Sequence, residues 1–104
     1  MEVNQEIFEK LKTEKLNLDK EGFVIIGLFG SFARGEEKED SDVDILFELK
    51  EEFYQKFIGW AITREIENYK FKLEKKFNRK VDLVNRKALS KIGQKYILPE
   101  LVYV

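Results

Sequence analysis

Gly30-Ser31-Phe32-Ala33-Arg34-Gly35, the charged segment Glu36–Ser41 and then Asp42-Val43-Asp44 place phosphate-holding and metal-holding residue types close together. Along an extended strand successive side chains alternate, so Asp42 and Asp44 project from one face. Two carboxylates that close repel unless a cation sits between them. Mg²⁺, a hard ion bound by a few carboxylates together with substrate phosphates, suits such a pair. A strand that ends in Gly-Ser and enters a helical turn aims free backbone N–H groups at one point. That is an anion site, and Gly30 lets a phosphate approach the backbone. Ser31 can cap the turn and donate its hydroxyl. Arg34, one turn on, either adds charge to the same anion or pairs with a loop glutamate. Phosphate cradle and carboxylate pair at adjacent strand ends describe a site for a nucleoside triphosphate and its metals.

Asp82 stands alone inside the apolar run Val81-Asp82-Leu83-Val84, on the strand face it shares with Lys80 and Val84. Beside the first two carboxylates it would serve a metal that activates an attacking hydroxyl, or accept the proton directly. A cap or a salt bridge to a lysine is the plainer role. Gly30-Ser31 alone would be an ordinary strand-ending turn; the aspartates downstream are what give it chemical meaning. Asp40-Ser41-Asp42-Val43-Asp44 also imitates the start of a calcium loop. Ile45 stands where that loop demands glycine, which excludes the reading.

The elements that must position these groups follow from periodicity. Val3, Ile7 and Leu11 recur four apart, predicting a helix from residue 2 to about 17. Phe23–Phe29 is apolar on both faces, as a central buried strand should be. Phe32-Ala33-Arg34 reads as one helical turn closed by Gly35, and Asp42–Leu49 as a second strand. Residues 52 to about 77 keep a helical seam through Tyr54, Ile58, Ile62, Ile66, Tyr69, Leu73 and Phe77. Off that seam Phe53, Phe57, Trp60 and Phe71 form surplus apolar surface, which either marks a partner interface or is covered by loops and the chain ends. Asn78 is a left-handed stop, Lys80–Val84 a third strand, and Leu89–Leu98 a last helical stretch bounded by Pro99. The order α-β-α-β-α-β-α predicts one α/β (α+β) domain over residues 1–104, a small mixed sheet of three to four strands flanked by helices.

Composition narrows the chemistry. The chain has no Cys and no His, which excludes disulfides, thiolate nucleophiles, Cys-ligated zinc and any Ser-His-Asp triad. Acid–base work falls to carboxylates, Lys, Tyr or a metal-bound hydroxyl. Charged residues are 38% of the chain, yet the net charge is −1, so no direct nucleic-acid binding is expected. The N-terminus lacks the regions of a signal peptide, and Phe23–Phe29 is too short to span a bilayer, so a cytoplasmic protein is expected.

The segment from Gly30 to Asp44 resembles the G-S-x10-D-x-D signature of the DNA polymerase β-like nucleotidyltransferase superfamily, with ten residues between Ser31 and Asp42. Within it the chain is similar to the minimal nucleotidyltransferases, the MNT or MntA group. The shared pattern includes Ala33-Arg34-Gly35 and the Val81-Asp82-Leu83-Val84 strand, and the resemblance runs from the first helix to the closing Leu98–Tyr103 tail. It implies two-metal transfer of AMP from ATP, with Asp42 and Asp44 binding both Mg²⁺ ions and Asp82 the catalytic one. Gly30 and Ser31 would hold the triphosphate. It further implies an antitoxin of a type VII toxin–antitoxin pair that adenylylates a tyrosine of a HEPN-domain toxin. The rival expectation is a weakly active or inactive module that neutralises its partner by contact. Small-molecule modification is disfavoured, because relatives of that kind usually carry a second domain to hold the acceptor.

Overall fold

A computed structural model describes residues 3–104. The helix start expected at residue 2 lies outside the described residues. The helix itself, α1 (Gln5–Asp19), begins after Asn4, whose side-chain oxygen accepts from the Ile7 N–H at 3.0 Å. Next come β1 (Phe23–Phe29), the single turn α2 (Ser31–Arg34) and β2 (Val43–Leu49). They are followed by α3 (Glu51–Lys56), α4 (Trp60–Phe77), β3 (Val81–Asn85), α5 (Lys91–Ile97) and β4 (Val102–Tyr103). Short 3-10 turns at Arg86–Ala88 and Leu98–Glu100 flank α5.

The sheet order is β3-β2-β1-β4. β1 runs antiparallel to both its neighbours, whereas β2 and β3 are parallel, so the sheet is mixed as expected. β1 and β2 are therefore interior strands, which explains why Phe23–Phe29 is apolar on both faces. One face packs under α1, α3 and α4 through Leu11, Phe23, Ile25, Ile45, Phe53 and Leu73. The other carries a smaller cluster of Ile26, Phe29 and Leu46, covered by Leu89, Ile97, Leu98 and Leu101.

A β-bulge between Ile25 and Gly27 resets the alternation of β1, so that Leu28 joins the larger core and Phe29 turns to the opposite layer. Lys15 donates to the Ile25 carbonyl at 2.9 Å, and the Val104 N–H reaches the Ile26 carbonyl at 3.1 Å, so the disturbed backbone stays satisfied. Gly27 has to be glycine: a Cβ there would lie 2.2 Å from the Val102 carbonyl oxygen. That close approach is what admits β4 to the sheet.

The long helix expected over residues 52–77 is two helices. Phe57 is extended and Gly59 takes φ +61°, which ends α3 and starts α4 on a new phase. The seam breaks accordingly. Tyr54 is 38% and Ile58 80% exposed, while Phe53, expected on the surplus surface, is fully buried against Phe23 and Tyr69. Phe57 packs partly against the core. Of the four surplus aromatics, Trp60 and Phe71 are the exposed ones. From Ile62 onward the seam holds, and Asn78 closes α4 at φ 54°, ψ 40° as its left-handed stop. Leu89 and Ser90 precede the last helix rather than belong to it; the Ser90 hydroxyl accepts from the Gly93 N–H at 3.0 Å and caps α5.

Candidate active site

The residues singled out for chemistry converge where β1 ends and where β2 and β3 begin. Parallel pairing sets Asp44 directly opposite Asp82 and Val43 opposite Val81. The register starts from a bond of the Val43 N–H to the Lys80 carbonyl at 2.9 Å. A Glu74 carboxylate oxygen accepts the Val81 N–H at 3.0 Å and holds the first residue of β3. Asp42 sits just before β2, exposed, with Val43 buried behind it. Asp44 is half-buried and Asp82 exposed, so both reach solvent from the sheet face opposite the large core.

Phe29, the last residue of β1, pairs with Asp44, and Gly30 follows at φ +75°. A Cβ on Gly30 would lie 2.1 Å from Asp44 Oδ2. The Gly-Ser turn and the carboxylate are thus in van der Waals contact, which only glycine permits. Ser31 opens α2, and Gly35 at φ +70° closes it, its N–H bonded to the Ser31 carbonyl.

The electrostatics follow from this crowding. Burial, then the Asp82 and Asp42 charges, then Glu100, push the Asp44 carboxyl up from its ordinary value near 3.8 to about 6, with Arg34 opposing. Among the described residues no three carboxylates sit close enough to form a ready-made cation cage. The pair nonetheless fits a divalent ion chemically: it is oxygen-only, solvent-accessible and held in mutual repulsion that a cation would relieve. Bound there, Mg²⁺ would neutralise phosphate charge and lower the pKa of an attacking hydroxyl.

Arg34 engages glutamates on two sides: Nε stands 3.4 Å from Glu36 Oε1, and Nη1 donates to Glu100 Oε2 at 2.6 Å. The loop pairing weighed from sequence is present, but the shorter bond goes to the distant C-terminal segment. The other oxygen of Glu100 accepts the Gly30 N–H at 2.9 Å.

A second arginine fixes the loop ahead of Asp42. Arg79 Nη1 donates to the carbonyls of Lys38, Glu39 and Ser41 at 2.9, 3.1 and 3.3 Å, and the guanidinium stands 4.9 Å from the centre of the Phe32 ring. Neither Glu100 nor Arg79 carries a local sequence signal. Both act on residues far away along the chain, and only co-variation with Arg34 or with the loop could have marked them.

A mixed four-stranded sheet with a Gly-Ser turn laid against paired strand-end aspartates defines a nucleotidyl-transfer fold. The nucleotidyltransferase domain model matches residues 6–103, and the chain belongs to that family as one of its minimal members. A protein adenylyltransferase, MntA, of Thermococcus cleftensis is 42% identical over 96% of this chain and 94% of its own length. A candidate protein adenylyltransferase of Methanocaldococcus jannaschii is 40% identical over the whole of both chains. Among solved structures, a candidate minimal nucleotidyltransferase superposes with a TM-score of 0.65 at 27% identity, covering 93% of this chain and 95% of the other. A toxin–antitoxin structure with AMP-PNP shares the fold, with a TM-score of 0.61 at 21% identity over 97% of this chain and 72% of the other. Among the described residues no helix is long and apolar enough to cross a membrane.

Proposed function

We propose that this nucleotidyltransferase moves AMP from Mg²⁺-bound ATP to a hydroxyl of a protein partner, with a tyrosine of a HEPN-type toxin as the acceptor, and so serves as the antitoxin of a type VII pair. The observation that carries the reading is the contact of the Gly30 turn with Asp44 while Asp82 stands opposite in register. It sets a phosphate-approach site beside two carboxylates. In the reaction the acceptor oxygen bonds to the α-phosphorus as the bond to the leaving pyrophosphate breaks. The hydroxyl proton passes to Asp82 or to solvent. Gly30, Ser31 and Arg34 hold the triphosphate. Asp42, Asp44 and Asp82 would hold the two Mg²⁺ ions, which would supply charge neutralisation and a more acidic hydroxyl.

Three things support the protein acceptor. The names borne by the similar proteins of T. cleftensis and M. jannaschii point the same way. Trp60 and Phe71 are 85% and 60% exposed, and interfaces favour aromatic anchors. A phenol with an ordinary pKa near 10 is within reach of metal activation. The deciding experiment is co-expression with the neighbouring gene product, followed by intact mass measurement. AMP-sized additions on that product, absent with Asp44→Asn, establish the activity. A product that is neutralised but unmodified replaces it with an antitoxin acting by contact alone.

A further inference from the structure

We propose that Glu100 is a positioning residue for phosphate recognition: one carboxylate locks the Gly30 turn and presents the free edge of Arg34 to the triphosphate. The inference rests on the nucleotidyl-transfer reading of the site and adds a residue to it.

The geometry is that of a clasp. Glu100 Oε1 takes the Gly30 N–H at 2.9 Å, and Oε2 takes Arg34 Nη1 at 2.6 Å, so the carboxylate ties the residue before α2 to its last residue. A four-residue helix has little stability of its own. Gly30, in a conformation few residues adopt, would otherwise wander and carry its contact with Asp44 along. The guanidinium has five donors in a planar fork. Glu100 uses Nη1 and Glu36 approaches Nε, which leaves the Nη2 edge for an anion. An arginine already held in one rotamer loses less freedom on meeting a phosphate than one that must first be ordered.

Glu100 could instead be a stopper that phosphate must expel. Its mounting argues against that role. The 3-10 turn Leu98–Glu100 is pinned on both sides, since Leu98 and Leu101 pack on the Ile26, Phe29 and Leu46 cluster. Just beyond, Val102 and Tyr103 pair with Leu28 and Gly27 of β1. A displaceable group belongs on a mobile segment; this one is built into the sheet.

The test uses Glu100→Gln, which can still accept the Gly30 N–H but loses the charge that orients Arg34. Titrate the full-length protein with Mg²⁺·AMP-PNP and with AMP, which lacks the outer phosphates, in the wild-type and Arg34→Gln backgrounds. The positioning role gives about tenfold weaker AMP-PNP binding in the wild-type background. AMP affinity stays unchanged, and the substitution costs little further where Arg34 is already gone. Tighter AMP-PNP binding by the variant overturns the proposal in favour of a stopper. Equal losses for AMP-PNP and AMP, or the same loss without Arg34, reduce Glu100 to a merely structural residue. Wild-type protein that binds no AMP-PNP sinks the functional reading itself.

Discussion

Removing the Asp44 charge should stabilise the metal-free protein while destroying its activity. The Asp44 carboxyl is lifted from about 3.8 to about 6 by burial and by Asp82, Asp42 and Glu100. That difference corresponds to about 3 kcal/mol against the ionised native state. The group is only half-buried, and screening by solvent leaves roughly 1 to 2 kcal/mol. The sign follows from proton counting. Between the two values the native state holds more protons than the unfolded chain, so stability falls as pH rises from about 4 to about 6 and stays reduced above. Asp44→Asn has no such penalty. Its advantage over wild type is therefore absent below about pH 4, grows across that window and is complete above about pH 6. In a domain of this size each kcal/mol moves the melting temperature by roughly 4 to 8 °C. Melting curves in EDTA at several pH values measure the difference directly. An Asn variant that melts no higher than wild type at neutral pH, or whose advantage is the same at pH about 4, refutes the electrostatic account of the site.

Four further outcomes are expected. Gly30→Ala places a Cβ where Asp44 Oδ2 now lies, at a positive φ, so it should cost roughly 1–3 kcal/mol and abolish transfer although no functional group is removed; denaturant melts with a labelled-AMP assay check both. Arg79→Lys cannot stack on Phe32 and bond three carbonyls at once, and should speed hydrogen exchange in residues 36–41 and slow transfer, with little change in global melting. Mg²⁺·ATP at a hundred times its dissociation constant should stabilise wild type by about 2.7 kcal/mol and Asp44→Asn far less, as thermal shift would show. Trp60→Ala and Phe71→Ala should leave melting within about 0.5 kcal/mol of wild type but weaken capture and modification of the partner in a pull-down with mass readout.

The strands and the Gly-Ser turn are legible in the sequence because their signals are local. An apolar run, a glycine at a strand end and an alternating Asp-Val-Asp need no tertiary information, and β1, α2 and β2 fall within a residue or so of expectation. Gly59 shows the opposite. A glycine inside a helical pattern can be tolerated or can break it, and the aromatics on either side satisfy two different phases equally well. Choosing Phe53 over Tyr54 and Ile58 for the core therefore needed the packing against Phe23 and Tyr69. β4, two residues long, is below what periodicity can register; only the absent side chain at Gly27 leaves room for it. In the site the aspartates and the turn are readable as types at a spacing. The register that sets Asp44 opposite Asp82 depends on parallel pairing, and Glu100 and Arg79 reach their targets across long stretches of chain.

The clasp at Gly30 also has a place in time. Its two halves are separated by 70 residues. At the usual pace of translation, roughly 4 to 14 seconds pass between making the Gly-Ser turn and making the carboxylate that fastens it. During that interval the nascent chain carries its phosphate-facing turn unfastened, and the first strand lacks its partner from the other end. Maturation of the site is thus tied to the late arrival of residue 100, not to the formation of β1 and β2. Ribosome-stalled chains halted before and after that residue has emerged would differ in how readily a protease cuts the segment following α2.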